Sequence, residues 1–96
     1  MLLVKSFFAG FFLFNSLPHL FKGITGQTHM TPFKRVSSPY LNLIWAFMNL
    51  VIGLLLTLRP LTGINMWVFL AGGFFISLAD AQLFSKPNAR LPWQKD

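Results

Sequence analysis

From residue 41 to residue 58 the sequence reads LNLIWAFMNLVIGLLLTL, a run without a charged side chain, whose polar groups are Asn42, Asn49 and Thr57. As a helix rising about 1.5 Å per residue, such a run matches the roughly 30 Å of hydrocarbon in a bilayer. A soluble chain this short leaves too much surface exposed to hide it. The run also starts and stops as a helix should. Ser38 suits the N-cap, Pro39 the first helical position, and Tyr40 and Trp45 a membrane–water interface, while Arg59-Pro60 closes it.

Two further runs of similar length flank it. The first, 2–21, is rich in Phe over 7–14 and is then interrupted by Asn15, Ser16, Pro18 and His19, with Pro18 expected to kink the helix or mark its last turn. The last, 65–84, has Thr62 or Asn65 to cap it, Trp67 to anchor it, Gly72-Gly73 at mid-span, and Asp80 and Gln82 near its end. The expected fold is all-α: three transmembrane helices in a small bundle. They form a single membrane domain over 1–96, with a loop at 22–40 and a polar, frayed tail at 85–96.

Composition agrees, since 54% of residues are hydrophobic and 10% charged, against about 25% charged in ordinary soluble domains. The net charge of +6 comes from basic residues scattered between apolar runs. That pattern fits lipid headgroups as partners and excludes the dense basic stripe of a nucleic-acid binder. No A-x-A-like site follows the first run, which argues against a cleaved signal peptide. Cysteine is absent, so thiolate metal sites and cysteine nucleophiles are excluded. His19 and His29 match no metal spacing, and neither a metal nor a cofactor is expected.

Three spans put Lys22, Lys34, Arg35, Lys86, Arg90 and Lys95 on one side, with Lys5 and Arg59 on the other. The positive-inside bias then predicts the N-terminus outside and the C-terminus inside.

Helices in lipid associate through small residues and interhelical hydrogen bonds. Asn42, Ala46, Asn49, Gly53 and Thr57 recur at helical spacing on the second span, as do Gly73, Ser77 and Asp80 on the third. A candidate packing face therefore comprises Ala46, Asn49, Gly53, Gly73 and Ser77. Asn15, His19, Asn42 and Asp80 fall at one depth and form a candidate polar cluster. An acid within a membrane calls for a partner: His19 inside the bundle, or Lys22, Arg35 or Lys86 from outside it. Paired carboxylates, a Ser/His/Asp order and an HExxH element are all missing from the sequence, which points away from an enzyme.

The stretch 15–53 carries Asn15-Ser16-Leu17-Pro18-His19, Gly23, Gly26, Thr31-Pro32-Phe33, Ser37-Ser38-Pro39, Asn42 and Trp45. In these it resembles a family of small uncharacterised bacterial integral membrane proteins. It departs from that pattern in lacking a longer Gly/Pro-rich insert after Phe33 and in having Ala46 where the family has glycine. The resemblance implies a bacterial cytoplasmic (inner) membrane and brings no activity. Two functions remain open. One is a non-enzymatic membrane component that packs with itself, as a homo-oligomer, or with a larger complex. The other is a small-molecule or proton-coupled carrier using His19 and Asp80.

Overall fold

The computed structural model describes residues 2–57, 60–85 and 90–94. In chain order they form α1 (Leu2–Ile24), β1 (His29–Thr31), β2 (Lys34–Ser37), α2 (Pro39–Leu56) and α3 (Ile64–Phe84). Leu58 and Arg59, at the predicted end of the second helix, lie outside the described residues, as do Lys86 and Lys95.

α1 runs through Pro18, so the proline neither ends the helix nor marks its last turn. It stops instead at Gly26, whose φ of 70° suits glycine. There Gly26 N donates to Gly23 O and Gln27 N to Lys22 O, the paired bonds of a Schellman motif. α2 opens as its sequence predicts, with the Ser38 hydroxyl accepting from Leu41 N and Pro39 in the first turn. α3 opens differently. Gly63 occupies its N-cap position without a side-chain hydrogen bond, so neither Thr62 nor Asn65 caps it through a side chain.

Two expectations are corrected here. The segment 22–40 is not an irregular loop, and the fold is mostly rather than wholly helical. β1 and β2 pair antiparallel, with His29 opposite Ser37 and Thr31 opposite Lys34. A relay of hydroxyls holds this hairpin. Ser37 Oγ donates its proton to Lys34 O at 2.7 Å, so the 2.7 Å contact between the two hydroxyls has Thr31 as its donor. Thr31 Oγ1 in turn accepts from Phe33 N. Nor does the whole tail fray, because 90–94 docks on the hairpin turn. Trp93 Nε1 donates to Pro32 O at 2.8 Å and Gln94 Nε2 to Thr31 O at 2.6 Å.

α1 is the centre of the arrangement. α2 and α3 each pack along it and scarcely touch one another. The α1–α3 seam brings backbones together: a Cβ on Gly10 would overlap Phe69 O, and one on Gly72 would overlap Phe7 O. On the other side Leu13 sits over Gly53.

The interior is made of small and polar groups. Among the described residues the buried hydrophobic side chains are Ala9, Met30 and Ala46, beside buried Ser6, Ser16, His19, Thr31, Ser37, Asn42, Asn49 and Gln94. The large side chains point outward, including Phe8, Phe21, Ile44, Phe47, Leu54, Trp67, Phe74 and Leu78. α2 and α3, with mean hydropathies of 1.7 and 1.5, are long and apolar enough to cross a bilayer. α1 is diluted by Lys5, Asn15, Ser16, Pro18 and His19 and is not among the helices that meet that measure.

Candidate functional site

Asn42 joins three elements. Its Nδ2 lies 3.0 Å from His29 O, 3.2 Å from Ser37 O and 3.1 Å from Ser38 O. Three carbonyls around one amide end require the nitrogen there, which turns Oδ1 toward the His19 ring on α1. Nδ1 of His19 is 2.9 Å from that oxygen, and an oxygen that only accepts needs a protonated Nδ1. In the neutral ring Nε2 then carries the lone pair.

The same reasoning fixes a second pair deeper in the bundle, one turn back along α1 and two turns on along α2. Asn49 Nδ2 donates to Trp45 O at 2.8 Å. Its Oδ1 therefore faces α1 and accepts from Asn15 Nδ2 at 3.0 Å. Asn15 keeps its own Oδ1 for other partners. Two asparagines on α2 thus hold two polar residues of α1, and the orientation of each amide follows from its neighbours.

Beside these pairs lies a crevice of about 220 Å³. Asn15, His19, Trp45, Ile76, Ala79, Asp80, Leu83 and Phe84 line it from the three helices, while Met30, Thr31, Pro32 and Leu91 close it from the hairpin and tail. The His19 ring stands edge-on to Trp45 and Phe84, with centroids 6.3 and 6.2 Å away. No family model, curated protein or solved structure matches this chain. The crevice has to be read from its own chemistry.

Of the four residues in the expected polar cluster, Asn15, His19 and Asp80 line the crevice, and Asn42 stands behind His19. Asp80 makes no hydrogen bond or ion pair with His19, nor with Lys22 or Arg35. His19 is already held by Asn42, and Lys22 Nζ donates to Gln27 Oε1 at 3.0 Å. Lys86 lies outside the described residues. Among the described residues no three His, Asp, Glu or Cys side chains gather as metal ligands.

The small-residue faces prove to be internal. Asn42, Ala46, Asn49 and Gly53 are the buried residues of α2, and Gly72 and Gly73 those of α3. Gly53 lies under Leu13 and Gly73 under Phe14, so α1 covers both stripes. Ser77 is not part of the seam. It is exposed, and its hydroxyl returns to Gly73 O in its own helix at 2.7 Å. These faces thus serve as the packing seam of the bundle itself, against the chain's own first helix.

Sequence reasoning passed over Trp45, treated as an interface anchor, and the lining residues Ile76, Leu83 and Phe84. A usable signal was present: Ile76, Asp80 and Leu83 continue the period set by Gly72 and Gly73. His29 was also missed. Its ring packs on Phe84 at 4.3 Å and beside His19 at 5.2 Å, and its Nε2 is buried without a partner.

Burial, then the neighbouring His19 and Lys22, push the His29 pKa down from 6.5 to about 4. Between those two values the unfolded chain binds the proton and the folded one does not. Stability is therefore full above pH 6.5 and falls as the pH drops toward 4. Hydrogen exchange at the hairpin amides, corrected for intrinsic rates, should accelerate across that window. The acceleration should vanish in His29→Gln, and pH-independent opening of the unmodified chain would contradict it.

Proposed function

We propose that the chain is an integral membrane protein whose three helices each cross the bilayer, acting as a non-enzymatic membrane component. The observation that carries this reading is the inverted placement of side chains. Asn, Ser, Thr and His fill the interior while Leu, Ile, Phe and Trp cover the outside. In water such a surface aggregates. In lipid it is solvated, and small residues with interhelical hydrogen bonds become the means of association.

α1 belongs with the other two on this argument. The uncharged polar residues that dilute it are turned inward, Ser6, Ser16 and His19 being buried and Asn15 bonded to Asn49, while Lys5 is exposed near the start of the helix. The long axis of 42 Å agrees with the roughly 40–45 Å of a bilayer with its headgroup regions. Tyr40, 79% exposed, and Trp67, 70% exposed, stand near the starts of α2 and α3, where interfacial aromatics anchor spans.

The excess of basic residues on the hairpin and tail supports a cytoplasmic position for that end and an external N-terminus. The family resemblance supports a bacterial cytoplasmic membrane. Because α1 occupies the small-residue stripes, a second copy or larger complex would have to bind the outer apolar faces that lipid also covers.

Absence of cysteine makes the test direct. The protein should stay in the membrane pellet after alkaline carbonate extraction, and release into the supernatant would refute insertion. A membrane-impermeant maleimide should label Thr62→Cys in intact cells and Thr28→Cys only after permeabilisation. The opposite labelling would reverse the orientation and leave the spans standing.

The crevice favours a second reading: a carrier or receptor that holds a small molecule against Asn15, His19 and Asp80. A lined cavity contributed by all three helices supports it.

A further inference from the structure

We infer that the crevice is a binding site for a substituted ammonium ion, the positive nitrogen on the polar wall and its apolar body among the helix side chains. This deepens the second reading above and rests on it.

Hydrogen-bonding capacity sets the first constraint on a ligand. His19 has its Nδ1 proton committed to Asn42, which leaves Nε2 as an acceptor. Asn15 gives one amide hydrogen to Asn49, which leaves Oδ1 as an acceptor beside the second N–H. Asp80 contributes carboxyl oxygens and makes no hydrogen bond or ion pair among the described residues. The three polar residues that the three helices bring to this crevice therefore each offer at least one acceptor. A ligand that satisfies them must carry donors, and more than one.

Charge narrows the class. Asp80 is the one acidic side chain among the described residues. No described Lys or Arg lines the crevice, so among the described residues Asp80 meets no cation there, and a cationic ligand would supply the charge such a site calls for in a low-dielectric setting. The remaining walls select an organic cation over a hydrated metal ion. Ile76, Ala79, Leu83 and Met30 are apolar, and the Trp45 and Phe84 rings offer faces and edges to a soft cation and its hydrocarbon. A metal would lack ligands, since no cluster of three His, Asp, Glu or Cys residues forms among the described residues. At about 220 Å³ the space suits a small amine rather than a large drug-like molecule.

One chemistry has two sources here: a free amine, or the ethanolamine headgroup of a lipid at the hairpin end of the bundle. The experiment separates them. The whole protein is reconstituted in nanodiscs of phosphatidylglycerol alone and titrated with radiolabelled 2-phenylethylammonium. Saturable binding is expected, with 2-phenylethanol, the neutral isostere, failing to compete. Asp80→Asn should weaken binding about tenfold or more. Leu83→Trp, which fills the crevice while keeping Asp80, should abolish it. Adding phosphatidylethanolamine to the discs assigns the source: competition points to the headgroup, and its absence to a free amine.

Equal competition by 2-phenylethanol, or unchanged affinity in Asp80→Asn, overturns the ammonium assignment while a small-molecule site stands. Failure of every probe to saturate the wild-type protein overturns the site itself. Carbonate extraction of the same preparation tests membrane integration separately.

Discussion

Asn42→Leu is expected to cost about 3 kcal/mol or more of stability and to free the hairpin from the helices. The substitution nearly preserves volume, so packing is not the issue. It strands His19 Nδ1 and removes the donor shared by the carbonyls of His29, Ser37 and Ser38. Ser38 O keeps a bond from Asn42 N, which leaves one ring nitrogen and two carbonyls exposed to the loss. A buried polar group without a partner costs about 1–3 kcal/mol, and total stabilities are about 5–15 kcal/mol. Denaturant unfolding in detergent micelles measures the loss, and hydrogen exchange at Met30 and Thr31 locates it.

Asn42→Asp should also fail, because a carboxylate satisfies His19 and repels the three carbonyls. His19→Phe made together with Asn42→Leu should be milder than the sum of the two single changes, since neither partner is then stranded. Additive losses, or a silent Asn42→Leu, would mean that the interior is not held through this amide.

The stripe on α2 was legible because two asparagines at helical spacing inside an apolar run have few places to go except another helix. Length and a near absence of charge, Asp80 being the one charged residue in the two, were enough to read α2 and α3 as long apolar helices. The hairpin was not legible. Its strands are three and four residues, without alternation of apolar and polar side chains, and its order comes from Thr31, Ser37, Asn42 and Gln94, residues far apart in sequence. On α3 the search for small residues led to Ser77, one position beyond the buried face. Ser77 satisfies its own helix and needs no partner, whereas Ile76 is half-buried on the seam. Smallness marks where backbones can meet, and the period has to decide which small residues do. Asp80 shows the remaining difficulty. Sequence brought it to the right end of the molecule beside His19, but the amide that already holds His19 belongs to another helix.

Gly72→Leu and Gly10→Leu should each break the α1–α3 seam. Glycine here serves close approach rather than an unusual backbone angle, as both sites are helical. The added Cβ would meet a backbone carbonyl, Phe7 O in one case and Phe69 O in the other. Main chain within a helix cannot move aside as a side-chain tip can, so the helices must separate. Overpacking costs about 1–3 kcal/mol and occasionally more, and these two sites belong at the upper end. Gly53→Ala should be gentler, because its nearest neighbours are side-chain atoms of Leu13. Gly63→Ala meets no neighbour, but φ 55° with ψ −132° lies outside the left-handed α well in a region that glycine alone adopts readily, a strain of about 1–3 kcal/mol. The Phe11 and Phe75 rings stack across the seam with centroids 6.3 Å apart, which supplies a readout. Phe11→Cys with Phe75→Cys should crosslink under mild oxidation, and adding Gly72→Leu should suppress the bond. Undiminished crosslinking would mean that lipid-facing bulk, rather than backbone proximity, sets the position of α3 against α1.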